Sequence, residues 1–507
     1  MTGFEAAAGD LPLVLQIVIP IVAEIGLLIL LLVVLTMDLF TRSTRREAVG
    51  FVAAVGMLII MGLNLVISFA WVNHPFFVEN TVLGGMIRFD MLATIFRTMI
   101  LLAAALACLI ATDVEGLGRA GEFYAVTIAA TLGMCLMSAS ADLVMLFLSL
   151  ETASISLYIL AGFLRNSETS SEAGIKYYLF GAFTSGLFLY GLSLIFGFTG
   201  TTNIYAIAEP LAALLDEGAT SGVLGVVAAL LLILVGFGFK ISAVPFHFWT
   251  PDVYEGAPTP VTAFISTASK AASFALLVRV FDVIWPDAAA VYWTGLLAAL
   301  AVITMTLGNV LALVQSNVKR LLAYSSIAQA GYTLIGVVAL NQSTFGVAAV
   351  AFYMFMYVLT NIAAFTVVIV VANQIGGDDS QDFAGLHRRA PGLALAMTLA
   401  LLSLSGVPPL AGFFGKFFLF SAAVDAGYVW LAVIGVLNSI VALYYYLVLI
   451  KVMWVDQAVE EGPLSFSTAS SLVLWVTGAG MIIMGTVAGP WLGWAITAAE
   501  NLTAMVP

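Results

Sequence analysis

Charge is scarce in this chain. Asp, Glu, Lys and Arg supply 9% of 507 residues, whereas 62% of the side chains are hydrophobic and the mean hydropathy is +1.10. Soluble globular domains carry roughly 25% charged residues, so a water-soluble fold is excluded and a polytopic membrane protein is indicated. Only two cysteines occur, Cys108 and Cys135, each in an apolar segment with no His or Cys nearby. That excludes a zinc or iron–sulfur spacing and leaves packing as their role. Basic residues are fewer than acidic ones, 17 against 29. The resulting net charge of −12 argues against nucleic acid and anionic lipid surfaces as partners. Gly236 and Gly238 make a Gly-x-Gly fragment, but inside an apolar run with no strand pattern, so no dinucleotide or P-loop site is implied. Glu5 and Asp10 stand where a cleavable signal peptide would be basic, so the first apolar run is expected to be retained as a span.

What is abundant is long apolar runs. About 20 residues cross a hydrocarbon core roughly 30 Å thick, and hydropathy predicts fourteen such spans, near 12–37, 48–70, 90–112, 121–138, 142–163, 173–199, 221–244, 260–282, 290–313, 319–340, 345–373, 392–422, 427–453 and 469–496. The connecting loops are short, so one compact transmembrane domain over 1–507 is expected, without a sizeable soluble part. Threading the spans from an outward-facing N-terminus gathers Arg42, Arg45, Arg46, Arg119, Arg165, Lys319, Arg320, Arg388, Arg389 and Lys451 in cytoplasmic loops. Only Arg88 and Arg279 remain for loops on the far side. This is the expected positive-inside bias, and it places both termini outside.

Five basic residues, Arg97, Lys176, Lys240, Lys270 and Lys416, are left at membrane depth. Each ionised group at the bilayer centre costs about 2.5–3.5 kcal/mol. Lys270 lies near the middle of "VTAFISTASKAASFALLVRV", and Glu151 near the middle of "DLVMLFLSLETASISLYILAGF". Neither reaches headgroups, so a purely structural role is disfavoured for both. Arg97 and Lys176 stand closer to an interface, where snorkelling is the competing explanation. Burial disfavours the charged form of either group. A string of such groups joined by water would therefore pass protons.

Two spans are interrupted. Pro245 follows Lys240 in "LLLILVGFGFKISAVPFHFWTPDVYEGAPTPVTAF", and Pro408 and Pro409 precede Lys416 in "LLSLSGVPPLAGFFGKFFLF". A proline removes a helix hydrogen bond and frees carbonyls, which is tolerated at depth only beside protein or a wet cavity. Two broken helices far apart in sequence suggest the paired halves of a transporter fold, although each proline alone is equally an ordinary kink. His247 stands two residues after Pro245; a proton relay and a hydrogen-bonded packing histidine are both open. His74 and His387 fall in loops. Tyr324, Ser325 and Ser326 put hydroxyls inside a span, where they could hold water or bind neighbouring helices.

The stretches "VPFHFWTPDVYEGAPTPVTAFISTASKAA", "VKRLLAYSSIAQAGY" and "GVPPLAGFFGKFFLF", with "DLVMLFLSLETASISLYIL" and "EAGIKYYLFGAF", carry a resemblance over nearly the whole chain. It resembles the antiporter-like membrane subunits of proton-pumping NADH:quinone oxidoreductase, respiratory complex I, and most closely subunit N. The resemblance implies an all-α fold of 14 transmembrane helices with two inverted five-helix repeats, at 121–282 and 290–453, broken helices 7 and 12, three leading helices at 12–112 and a last helix at 469–496. It also implies that Glu151 pairs with Lys240, that Lys270 lies on a central water chain, that Lys416 leads to the outer exit and that Lys176 is a further family lysine. Lysine rather than glutamate at 416 favours subunit N over subunit M, and subunit L typically carries additional C-terminal helices. NADH, FMN, iron–sulfur clusters and quinone are implied for partner subunits in a bacterial plasma membrane, with no redox centre in this chain. The alternatives are a cation/proton antiporter, stand-alone or multisubunit, and a membrane scaffold without transport.

Overall fold

A computed structural model describes residues 17–40, 47–71, 81–117, 121–216, 220–285, 287–458 and 462–503. Glu5, Asp10, Arg42, Arg45, Arg46, His74 and Arg119 lie outside the described residues. In oil, every backbone N–H and C=O must be satisfied within the segment, and the apolar runs accordingly fold as helices. They are α1 Val22–Phe40, α2 Glu47–Trp71, α3 Met91–Ala111, α4 Gly121–Ala139, α5 Leu143–Ala161 and α6 Glu168–Thr199. A broken helix follows, with halves α7a Thr220–Ile241 and α7b Trp249–Gly256. Next come α8 Thr259–Val283, α9 Ala290–Ala312, α10 Val318–Val338 and α11 Phe345–Ile375. The second broken helix has halves α12a Pro391–Ser405 and α12b Ala411–Asp425, and the series closes with α13 Val429–Trp454, α14 Thr468–Thr486 and α15 Ala488–Thr503.

Thirteen helices among the described residues are long and apolar enough to cross a membrane. The span expected at 392–422 is not one of them, because it is split into halves of 15 residues each. Fifteen residues rise about 22 Å, short of the hydrocarbon thickness, so only the two halves in series could cross. The span expected at 469–496 is likewise divided, at Val487 between α14 and α15. Arg279, assigned to a far-side loop, instead lies within α8 and is fully buried. Its guanidinium grips Asp90 at the N-cap of α3 with two bonds, Nη1 to Oδ2 at 2.7 Å and Nη2 to Oδ1 at 3.0 Å. Burial alone would raise the Asp90 carboxyl; Arg279 outweighs it and holds Asp90 below the usual carboxylate range.

Helices α3, α8, α10 and α11 form the enclosed centre, while α1, α2 and α13 are peripheral. The outer faces carry bare apolar side chains such as Leu32, Val66, Phe183, Tyr444 and Trp475, each more than three-fifths exposed. So wide an apolar surface suits lipid or protein, not water.

One packing arrangement occurs twice. Gly133 on α4 lies so close to α5 that an added Cβ would sit 2.5 Å from Ala153 N and 2.9 Å from Ser149 O. Gly308 on α9 meets α10 the same way, 2.7 Å from Ala328 N and 3.0 Å from Tyr324 O. Helix α5 is capped by Asp142, bridged to Asn203, and α10 by Asn317, bridged to Asp379. Leu143 N donates to Thr202 O and Ile204 N to Ala141 O; correspondingly Val318 N donates to Asp378 O and Ser380 N to Ser316 O. The interval from Gly133 to Gly308 equals those from Ser149 to Tyr324 and from Asp142 to Asn317. Carried to the interior of the helices, it takes Glu151 to Ser326 and Ser154 to Gln329.

Overpacking a backbone contact of this kind typically costs about 1–3 kcal/mol. Gly133→Val and Gly308→Val are each expected to lower the thermal midpoint of the purified assembly. Gly186→Val, which meets nothing within 4 Å, is expected to leave it unchanged, as read by thermal unfolding in detergent.

Candidate functional site: buried lysines beside two helix breaks

Both breaks end their first half in the same manner. After α7a, Ser242 takes a left-handed conformation (φ +64°) and Ala243 N reaches back to Gly238 O at 2.7 Å. After α12a, Gly406 is left-handed (φ +88°) and Val407 N reaches Leu402 O at 3.0 Å. This six-to-one closure is a common helix stop, and proline beyond it prevents resumption. Polar side chains add donors to the carbonyls at the breaks. Phe239 O, which accepts from Ser242 N at 3.2 Å, also accepts from Trp249 Nε1 at 3.1 Å. Leu404 O accepts from Gln329 Nε2 at 3.2 Å, and Ser405 O from Lys416 Nζ at 3.2 Å.

Lys240, near the end of α7a, is buried. It does not form an ion pair with Glu151. Its Nζ donates to Ser154 Oγ at 2.5 Å, and Glu151 Oε1 accepts from Ser185 Oγ on α6 at 2.5 Å. Glu151 and Ser154 are three residues apart on α5, so the ammonium rests one turn from the carboxylate, on the same helix face. Hydroxyls occupy both ends of the implied pair.

Lys270 is 2% exposed. It follows a π-helical turn, Ile265–Ser269, that widens α8 just before it. Its Nζ donates to Ser326 Oγ and to Ser326 O, both at 2.6 Å, so it bridges from α8 to α10. Charge-assisted hydrogen bonds are worth about 1.5–3 kcal/mol each, so two match the cost of about 2.5–3.5 kcal/mol of holding the ammonium at depth. Ser326 also accepts from Tyr357 OH at 2.7 Å and stands 3.3 Å from Tyr254 OH. The next residue back, Ser325, bonds Tyr446 OH at 2.5 Å, and Tyr446 OH lies 3.3 Å from Gln329 Nε2. Gln329 reaches Leu404 O, one residue from the Ser405 carbonyl held by Lys416. The Lys416 ammonium lies over the Tyr332 ring, 4.3 Å from its centroid. From Ser325 to Lys416, therefore, polar groups follow each other through α10, α13 and α12, and Ser326, which holds Lys270, is the next residue of α10 without a hydrogen bond to Ser325 among the described residues.

Between Lys240 and Lys270 the side chains of the described residues form no such succession. Aromatic rings fill the interval: Tyr158 packs edge-on to Tyr177 at 4.8 Å, and Tyr177 stacks on Trp249 at 4.4 Å. His247 joins neither lysine. It is 5% exposed, its ring tilts against Phe248, and its Nδ1 has no partner among the described residues. Burial pushes the His247 imidazole below its ordinary range, which favours the neutral ring.

Lys176 does not reach the interior. Its side chain is 36% exposed and pairs with Glu172 at 2.7 Å and with Asp252 on α7b at 2.6 Å. Arg320, on the first turn of α10, pairs with Asp252 at 3.0 Å and with Glu255 at 2.7 Å. Lys319 caps the end of α7b by donating to Glu255 O at 2.6 Å and Ala257 O at 3.0 Å. These charges hold the short helix α7b between α6 and α10. Arg97 is likewise paired, with Glu24 on α1 at 2.6 Å, and both are buried. Glu24, Asp90, Asp252, Gln329 and Tyr446 were not singled out by sequence. For Glu24 a signal existed, a carboxylate within an apolar run, whereas Gln329 and Tyr446 gain meaning only from what they touch. Among the described residues, no three of His, Cys, Asp and Glu converge as a metal site.

Burial alone would raise the Asp252 carboxyl; hydrogen bonds from Lys176 and Arg320 outweigh it and hold Asp252 below its ordinary value. A depressed carboxyl stabilises the fold above its unfolded value, about 3.9, and that contribution disappears as pH falls through the folded value. Asp252→Asn is therefore expected to speed amide exchange across Trp249–Gly256 at neutral pH. The difference from the unsubstituted chain should vanish in strong acid, as read by hydrogen–deuterium exchange over a pH series.

Comparison with known proteins places this geometry in context. Residues 140–442 match the family model described as NADH:quinone oxidoreductase/Mrp antiporter, TM. NADH-quinone oxidoreductase subunit N of Desulforamulus reducens is 41% identical over 483 residues, covering 95% of this chain and 98% of that one. A chain of respiratory complex I from Thermus thermophilus superposes with a TM-score of 0.77 at 32% identity, covering 93% of this chain and 98% of its own. A chain of the Mrp complex from a Dietzia species shares the fold, with a TM-score of 0.79 at 21% identity over 97% and 98% of the two chains. The family model over most of the chain and the relative at 41% identity together show that the chain belongs to the NADH:quinone oxidoreductase/Mrp antiporter transmembrane family, among its subunit N members.

Proposed function

We propose that this chain is the proton-translocating membrane subunit N of a bacterial complex I, a translocase that moves protons along Glu151, Lys240, Lys270 and Lys416. The observation that carries this is the seat of Lys270 on Ser326 beside a run of polar groups that begins at the adjacent Ser325 and passes through Tyr446 and Gln329 to the carbonyls beside Lys416. NADH, FMN, iron–sulfur clusters and quinone belong to partner membrane and peripheral subunits, and quinone chemistry there drives the transfer. The work per proton is about 2.3 kcal/mol per 100 mV of membrane potential.

In this reading Lys240 exchanges its Ser154 contact for Glu151 when Ser185 releases the carboxylate. The ammonium is stabilised near Glu151 and destabilised when the two are apart, so pairing takes up a proton at Lys240 and the return to Ser154 drives that proton on to Lys270. Passage between Lys240 and Lys270 requires the Tyr158, Tyr177 and Trp249 cluster to admit water. Lys416 receives the proton beside the second break and passes it outward. Lys176 and His247 stand off this line; Lys176 positions α7b.

The recurrence of the α4–α5 packing in α9–α10 supports two repeats, at 121–282 and 290–453. Five helices separate equivalent positions, so equivalent helices cross in opposite directions and the repeats are inverted. Both termini lie on the outer side of the plasma membrane. With Arg279 buried in α8, Arg88 is the one basic residue left to the outer loops by the sequence threading, which sharpens the positive-inside bias. The antiporter alternative draws on the Mrp likeness, which at 21% identity speaks for the fold alone.

Lys270→Ala is expected to leave the complex assembled while protons pumped per electron fall severalfold in proteoliposomes. Lys176→Ala is expected to pump nearly as the unsubstituted complex does. Full pumping in assembled Lys270→Ala complex would point to a scaffold, and sodium-gradient-driven proton flux through the chain alone would point to an antiporter.

A further inference from the structure

Gln329 occupies a distinctive position on the line between Lys270 and Lys416, because a carboxamide cannot exchange its donor and acceptor ends without turning over. Leu404 O can only accept, so the end of Gln329 that faces it at 3.2 Å must be the NH2 group. The amide oxygen is thereby directed to Tyr353, whose hydroxyl donates to it. The second N–H of Nε2 points to Tyr446 OH at 3.3 Å, so the phenol oxygen accepts there. The phenol oxygen also lies 2.5 Å from Ser325 Oγ, and either oxygen can supply the hydrogen between them. A turned amide would set Oε1 against the Leu404 carbonyl, two acceptors facing each other in a buried site. All five groups lie in the interior: Ser325, Gln329, Tyr353 and Tyr446 are at most 2% exposed, and Leu404 is 1% exposed. The orientation of the amide, and with it the N–H set against the Tyr446 oxygen, is thus fixed by a backbone atom that the α12 break left open.

We propose that Gln329 is a gate on the proton line, a positioning residue that holds the Tyr446 hydroxyl in a non-transmitting orientation until α12a moves. The inference rests on the proton-path reading above. In the resting arrangement proposed here the Tyr446 oxygen receives the Gln329 N–H, and its own proton is turned toward Ser325. A proton arriving from Lys270 finds the near side of the oxygen occupied by the phenol's own hydrogen, and one returning from Lys416 finds the far side occupied by Gln329. Withdrawal of Leu404 O frees the amide to release Tyr446, whose hydroxyl then turns and hands its proton toward Lys416 while accepting the next one from the Ser325 side. The gate thus links the geometry of the second helix break to conduction, and closes the line against back-flow at rest. Gln329 stands where the first half of the chain has Ser154, a hydroxyl able to rotate, so the device belongs to the second half alone.

The test uses the intact complex in proteoliposomes, scoring proton back-flow under an imposed pH gradient and protons pumped per electron. Gln329→Leu is expected to speed back-flow severalfold and to lower pumping while quinone reduction continues. Tyr446→Phe is expected to lower pumping without added back-flow. Combined with Gln329→Leu, it is expected to abolish the extra back-flow. A leak that persists in the double variant runs through a packing defect and overturns the proposal, as does unchanged back-flow in Gln329→Leu. Gln329→Met replaces Gln329→Leu if the latter fails to assemble, with the same expectations. Lys270→Ala separates the two levels: loss of pumping there with unchanged Gln329 variants sinks the gate alone, whereas full pumping in Lys270→Ala sinks the path beneath it.

Discussion

Polar atoms held in oil must find partners inside the protein, and the interior of this chain is organised by that constraint. Two helices are broken, which opens backbone carbonyls; lysines and amides are buried, which need acceptors. The structure sets one need against the other. Lys416 and Gln329 take the carbonyls of Ser405 and Leu404, and Lys270 takes the carbonyl and hydroxyl of Ser326. A buried polar group without a partner costs more than a paired one gains, so these contacts stabilise the fold. Closing the second break would take from Lys416 and Gln329 the carbonyls they hold.

The two halves use the same scaffold for different chemistry. Where the first half has Glu151 and Ser154 on α5, the second has Ser326 and Gln329 on α10. The first half therefore offers a carboxylate that can attract or release a lysine, and the second offers neutral groups that orient a hydroxyl. Lys270 belongs to the first half but binds in the second, through Ser326. In the proton path proposed above it joins the two halves, and the fully enclosed α8 that carries it has no lipid-facing side on which to relax.

Much of the fold was legible because hydrocarbon leaves a chain few choices. Runs of twenty apolar residues can only be helices, and prolines 245, 408 and 409 marked where helices stop. Hydropathy could not see that Arg279 has Asp90 waiting 189 positions away, so an arginine near a helix end was read as a loop. For the same reason it put Lys176 at depth, although Asp252 and Glu172 hold it at a partly exposed edge. Of the site, the lysines and Glu151 were readable as charges that cost energy wherever they sit. Their partners, Ser154, Ser185, Ser326 and Tyr446, are ordinary hydroxyl residues whose sequence neighbourhood carries no sign of the role.

By itself, the sequence determined that this is a helical membrane protein, that five basic residues and a glutamate must be accommodated among its spans, and that two helices break near lysines. Those are consequences of composition and of local backbone chemistry. Only the tertiary structure decided which charges meet. It separated Glu151 from Lys240 by a turn, sent Lys176 to an edge, and drew Lys270, Tyr446, Gln329 and Lys416 into one line. Pairing at depth depends on which helices pack face to face, and that is settled by contacts between residues remote in the chain, which no local pattern encodes.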